Sequence, residues 1–231
     1  MNKDKDFWEG IRKWDIIYMS ETWVQKKGWE KVKRWLPKGY RWEIQEAGKK
    51  NKKGRAIGGI VMGRREETEI EGEVEEDEEE GMMIIKVKIG KEWWRIIGVY
   101  VNKNLDRKIE KLRKWMENRE EGVKTLIGGD FNARTGTGGG GEEGDEERVR
   151  GRKSRDEKSN GEGRRLCRFL EEMGWSIMNG NTEGDEEGEW TYTGGRGGTV
   201  IDYVVGDRET RRSVKRLLVE ENTESDHQPL T

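Results

Sequence analysis

Apolar side chains in this sequence fall in nine runs of strand length: Asp15–Ser20, Tyr40–Ala47, Ala56–Gly63, Met82–Ile89, Trp93–Val101, Val123–Gly129, Trp175–Asn179, Trp190–Thr193 and Thr199–Gly206. Charged, glycine-rich stretches separate them, which confines the chain to a fold of many short strands. Gly90-Lys91 sits between two runs and marks a tight hairpin, so at least part of the sheet is antiparallel. Three stripes at helical spacing lie between the strands: Trp29, Val32 and Leu36; Ile109, Leu112 and Met116; and Leu166, Phe169, Leu170 and Met173. The pattern predicts an α/β (α+β) fold of two packed sheets, at least partly antiparallel, with helices outside.

The runs are sparse because 41% of the 231 residues are charged and only 30% hydrophobic. Such a composition borders on that of disordered chains, but a net charge of −2 and 11 Trp argue for a folded one. Gly, Glu, Lys and Arg can all be encoded by purines alone, so nucleotide bias can account for much of the charge. Rare residues therefore carry more information. The single His and one of the two Pro lie together in Ser225-Asp226-His227-Gln228-Pro229.

Several classes are excluded. No apolar run approaches the ~20 residues of a membrane span, and Met1–Asp6 lacks the apolar stretch of a secretory signal. The lone Cys167 has no disulfide partner in the chain and fits a reducing, intracellular compartment. One His and one Cys exclude a zinc site of the usual kind. A metal would be held mainly by carboxylate and amide oxygens, which suit a hard ion such as Mg²⁺.

Charge is unevenly distributed. Residues 1–55 carry 16 Lys/Arg against 8 Asp/Glu and could face phosphate. Residues 66–80 carry 11 acids and no base, and read as an acidic loop. Residues 136–163 are rich in Gly and charge and read as a long surface loop. Neither segment divides two independent cores, so residues 1–231 read as one domain.

Three acids stand where apolar runs should continue. Glu21 ends Asp15–Ser20, Asp130 ends Leu126–Gly129, and Asp202 lies inside Val200–Val205. Taking an unpaired carboxylate out of water costs several kcal/mol, so each needs a cation or strong donors. Any one alone would be an ion pair or a cap; together with Asp226-His227 they suggest a site. Asp130 and Asn132 point the same way if the strand persists, and an acid that holds water beside an amide donor suits a phosphate ester. Asp202 is a natural partner for His227, fixing its tautomer; otherwise His227 is a surface residue in a tail.

Taken together, Ser20-Glu21-Thr22-Trp23, Gly129-Asp130-Phe131-Asn132-Ala133, Val200-Ile201-Asp202-Tyr203 and Ser225–Pro229 resemble the endonuclease/exonuclease/phosphatase superfamily over nearly the whole chain. The resemblance is strongest to the apurinic-endonuclease-like domain of non-LTR retrotransposons. It implies a four-layer sandwich, two sheets between helices. It further implies that Glu21 and Asp226 bind Mg²⁺, with Mn²⁺ an alternative, and that Asp130 activates water. Asn132 would steady phosphoryl oxygens, Asp202 and His227 polarise the phosphate or share a proton, Tyr100 fill the family's active-site tyrosine position, and Thr199 contact substrate. DNA would be the partner, nicked to leave a 3′-hydroxyl; action on chromosomal DNA would place the protein in the nucleus.

Family members begin with an apolar strand carrying Asn, whereas Met1–Asp6 is polar, and Leu230-Thr231 falls where their last core strand starts. The expected fold therefore lacks the first and last core strands. Tyr100 is followed by Val101-Asn102 instead of the family's Tyr-x-Pro turn. Two alternatives to the nuclease remain: an inactive remnant that retains nucleic-acid affinity, and a phosphomonoesterase or lipid phosphatase of the same superfamily.

Overall fold

The computed structural model describes residues 5–48, 56–76, 81–141, 151–195, 197–221 and 225–231. Of the polar stretch Met1–Asp6, residues 1–4 lie outside them, and Lys5 and Asp6 open a helix. The chain forms two compact units, Met1–Tyr100 and Val101–Thr231.

The first unit opens with α1 (Lys5–Gly10) and a 3₁₀ turn, followed by β1 (Ile16–Met19), α2 (Lys26–Lys33), β2 (Tyr40–Gln45) and β3 (Ile60–Arg65). Its three-stranded sheet has the order β1-β3-β2, with both pairs antiparallel. Trp8, Leu36 and Val61 form a buried cluster against which Phe7, Ile11, Met19, Trp29, Val32, Trp42 and Ile44 pack. The stripe Trp29–Val32–Leu36 thus does face a core, yet α2 stops at Lys33. Pro37 explains the early stop, because it disfavours helical backbone at Leu36.

β4 (Glu75–Glu76), β5 (Met82–Ile89) and β6 (Glu92–Tyr100) complete this unit. β5 and β6 pair antiparallel with Ile89 opposite Glu92, and Gly90 supplies φ 63° at the turn. The acidic stretch is not simply a loop. β4 pairs with β5, Ile70 bridges Val87, and Glu69 and Glu71 pair with Lys88 and Lys86. Cross-strand lysines neutralise the acids there, and charge on an edge strand deters further pairing.

The second unit contains α3 (Leu105–Glu117), β7 (Val123–Asp130), α4 (Gly161–Met173), β8 (Trp175–Ile177), β9 (Tyr192–Gly194), β10 (Gly197–Thr199), β11 (Asp202–Asp207) and α5 (Arg208–Ser213). β11 pairs antiparallel with both β7 and β8, and β9 with β10. Asn104 caps α3 and Asn160 caps α4, each accepting from a backbone N–H three residues on; Gly174, at φ 66°, ends α4. The last apolar run splits at Val200-Ile201, so Asp202 opens β11 rather than interrupting a strand.

The reading of 136–163 as a surface loop is corrected over its later part. Arg152 and Asp156 are both buried, and α4 begins at Gly161. Composition could not reveal this, because the burial is driven by specific ion pairs and hydrogen bonds rather than by apolar content.

Candidate active site

Register makes the centre of this site. Asp202, at the start of β11, is the direct partner of Asp130, at the end of β7. Directly opposed residues of an antiparallel pair project to the same face, so two carboxylates meet where like charges repel. His227 answers that repulsion: its Nδ1 lies 3.1 Å from both Asp202 oxygens. Burial alone would lower the imidazole pKa. The hydrogen bond to Asp202 and the charges of Asp202, Asp130 and Asp226 outweigh it and push it up to about 9. One ligand atom from each of Asp130, Asp202 and His227 lies within 4.8 Å of the others.

His227 does not belong to a loose tail. Thr193 N–H donates to the Asp226 carbonyl (2.7 Å), Gln228 N–H donates to the Thr191 carbonyl (2.8 Å), and Tyr192 packs edge-on against the His227 ring with centroids 5.0 Å apart. With Nδ1 committed to Asp202, Nε2 is the ring's other donor.

Asn132 reaches Asp130 by a different route from strand alternation. β7 ends at Asp130, and Asn132 adopts φ 47°. The chain therefore turns back: Asn132 N–H donates to Asp130 Oδ1 (2.8 Å) and its Nδ2 to Oδ2 (2.9 Å). Nδ2 also donates to the Val101 carbonyl (2.9 Å), so both amide protons orient the acid and its surroundings. A phosphoryl contact would require the amide to leave one of these partners. Glu21, Trp23 and Asn132 are the described non-glycine residues with positive φ, and all lie in motifs singled out in the sequence. Strain of this kind persists where surrounding structure enforces it.

In the first unit, the Tyr100 hydroxyl donates to Glu21 Oε1. Asp226 is exposed and stands outside the Asp130–Asp202–His227 cluster. Thr199 lies on β10 opposite Tyr192, and its carbonyl accepts from Thr191 N–H (3.1 Å). The structure thus brings together Glu21 with Tyr100, and Asp130 with Asn132, Asp202 and His227. It does not place Asp226 or Thr199 in the latter group. The donors are carboxylate oxygens and an imidazole bonded through Nδ1, with no thiolate; such a set suits a hard divalent ion better than a soft one.

Supporting residues escaped the sequence reading. Thr191 Oγ1 accepts from the backbone N–H groups of Ile201 and Asp202, both at 3.0 Å, fixing where Asp202 begins. Asp156 accepts from Arg134 Nε (2.7 Å) and Nη2 (2.5 Å) and from Val200 N–H (3.3 Å), tying the segment after Asn132 to the one before Asp202. Arg152 donates to the carbonyls of Asn179, Gly136 and Gly138, and burial pulls its pKa down. The Tyr203 hydroxyl meets the carbonyls of Val200 (2.6 Å) and Ala133 (2.9 Å). Burial pushes its pKa up to about 12 despite the hydrogen bonds from Thr135.

A family model described as endonuclease-reverse transcriptase matches residues 94–231, more than half of the sequence and all of the second unit. The chain belongs to this family. It is a member of the endonuclease/exonuclease/phosphatase superfamily, and its α/β fold with antiparallel sheets is DNase I-like. No curated protein matches in sequence. The endonuclease domain of TRAS1, a telomere-specific non-LTR retrotransposon, is similar at 16% identity and TM-score 0.61, covering 97% of this chain and 88% of that one. An AP endonuclease from Archaeoglobus fulgidus is similar at 16% identity and TM-score 0.60, covering 96% and 90%. An endonuclease/exonuclease/phosphatase family protein from Leptotrichia buccalis matches at 12% identity and TM-score 0.61, covering 97% and 89%. At these identities the similarity establishes fold. Among the described residues no helix is long and apolar enough to cross a membrane.

Proposed function

We propose that the protein is a Mg²⁺-dependent phosphodiester hydrolase that nicks DNA, derived from a retrotransposon. The observation that carries this reading is the convergence of Asp130 and Asp202, partners in one sheet register, with His227, one ligand atom of each lying within 4.8 Å of the others. Membership of the endonuclease-reverse transcriptase family supports it.

In this mechanism Asp130, aimed by Asn132, accepts the proton of the attacking water. His227 is held protonated by Asp202 and presents Nε2–H to the phosphate, where it offsets charge that grows on the phosphoryl oxygens in the transition state. The departing oxygen becomes the 3′-hydroxyl by taking a proton from bulk water, and Asp130 returns its own proton to solvent. Glu21, positioned by Tyr100, and Asp226 are the proposed Mg²⁺ ligands, with Thr199 a substrate contact. When bound, the cation supplies Lewis-acid stabilisation of the leaving oxygen.

The test is nicking of supercoiled plasmid. Conversion to open circles should need Mg²⁺ or Mn²⁺, stop with EDTA, and disappear in Asp130→Ala and His227→Ala. Nicking that survives both substitutions refutes these roles. Hydrolysis of an inositol phosphate with DNA untouched would favour the phosphatase reading, and a folded protein without turnover the remnant reading.

A further inference from the structure

Two tryptophans bracket α2, and both are left in solvent: Trp35 is 65% exposed and Trp23 is 44% exposed. Neither exposure follows from a shortage of core, since Trp29 and Val32 of the intervening helix pack against the Trp8–Leu36–Val61 cluster. Residues 26–38 carry six cations, Lys26, Lys27, Lys31, Lys33, Arg34 and Lys38, against the single acid Glu30. All six are exposed. Lys33 is partly occupied locally, 3.5 Å from Glu30 and 5.2 Å from the Trp29 ring. Lys27 and Lys31 are spaced i, i+4 and so share one side of α2, and Arg34 follows at its C-cap.

Trp23 adds a second kind of evidence. Its φ is 53°, a region a bulky side chain occupies only at a cost. Two backbone bonds hold the turn, Trp23 N–H to the Gly58 carbonyl (2.9 Å) and Thr22 N–H to the Gly59 carbonyl (3.1 Å). An exposed aromatic side chain on strained backbone is the kind of outlier that clusters at ligand-binding positions.

We infer that α2 with Trp23 and Trp35 is a binding surface for single-stranded nucleic acid, made of residues other than the Asp130–Asp202–His227 cluster. Aromatic faces beside a row of cations provide stacking for bases and charge for the backbone. In a duplex the base faces are already stacked, so an unpaired strand is the partner that uses both components. The surface does not depend on the nuclease reading.

The test uses the full chain in EDTA, with fluorescence anisotropy of a labelled oligothymidylate of about 12 nucleotides and a duplex of equal length. The single strand should bind more tightly than the duplex. Trp35→Ala should weaken single-strand binding about tenfold, and Trp35→Phe should restore most of it. Lys27→Glu with Lys31→Glu should flatten the salt dependence by a slope of roughly 1.4, two phosphate contacts on a single strand. Arg208→Glu with Arg212→Glu, an equal charge change on exposed residues of α5, should matter far less. Equal losses from the two pairs, unchanged affinity in Trp35→Ala, or preference for duplex would each overturn the inference. If circular dichroism shows that Trp35→Ala unfolds, the two charge-reversal pairs decide the matter. Absent nicking with binding intact counts against the nuclease reading alone.

Discussion

Asp130 and Asp202 face each other as direct partners across β7 and β11, two carboxylates on one side of an antiparallel pair. The pairing is unfavourable unless positive charge or donors stand close. Asn132 supplies donors to the first, and His227 a proton to the second. The site is therefore charge-coupled, and its titration reports its assembly.

His227 is the only histidine in the chain, so one imidazole resonance follows it without assignment ambiguity. In metal-free buffer it should titrate near the raised value of about 9. Asp202→Asn should move it down toward the ordinary value of about 6.5. The sign for stability follows: the folded-state value is raised, so the stabilisation is complete below about pH 6.5 and is lost as pH rises through about 9. Urea unfolding should show this decline in the parent and little of it in Asp202→Asn. A resonance that titrates near 6.5 in the parent would remove the Asp202 pairing.

Asn132 separates conformation from hydrogen bonding. Asn132→Gly accepts φ 47° freely, whereas Asn132→Ala pays the left-handed penalty of about 1 kcal/mol. Both delete the amide that holds Asp130 Oδ2. Plasmid nicking should fall at least tenfold in both variants; both should lose urea stability with the amide's hydrogen bonds to Asp130 and Val101, and Ala should lose about 1 kcal/mol more than Gly. Parental nicking in the Gly variant would mean that the amide does not position Asp130.

How much of this the sequence makes legible depends on the kind of signal. Apolar periodicity located β5 to the residue and the stripe of α4, because burial of a whole face writes itself into spacing. Glu21, Asp130 and Asp202 stand out in the sequence because a carboxylate beside an apolar run is costly unless it finds a partner. That Asp130 stands opposite Asp202 is not legible there, since register is set by pairing partners far apart in sequence. Asp156, Arg152 and Thr191 were hidden for a further reason. In a chain with 41% charge, a buried ion looks like every exposed one, and only its partners distinguish it.

Asp156 should therefore behave as a structural acid. Burial would raise its pKa, but the hydrogen bonds from Arg134, Val200 and Lys158 overcome this and hold it below the ordinary value. Its contribution is present above about pH 4 and lost as pH falls through the lowered folded-state value. Asp156→Ala leaves Arg134 and the Val200 N–H without their acceptor, and unfolding free energy should drop by about 3 kcal/mol at neutral pH. Asp156→Asn should lose less. A drop below about 1 kcal/mol in the Ala variant would show that the tie across these segments contributes little.

Two glycines at the start of α4 should respond in opposite directions to the same substitution. A Cβ at Gly163 would stand 1.7 Å from the Arg134 carbonyl oxygen and 2.4 Å from its carbon, backbone atoms that cannot rotate away. A Cβ at Gly161 meets nothing within 4 Å. Alanine ordinarily favours a helix over glycine by about 1 kcal/mol. Gly161→Ala should thus hold or raise the thermal midpoint, whereas Gly163→Ala should lower it and push α4 away from Arg134, two residues beyond Asn132. The Gly163 variant should also lose nicking activity at temperatures where it remains folded. Equal midpoints for the two variants would show that α4 does not press on this segment.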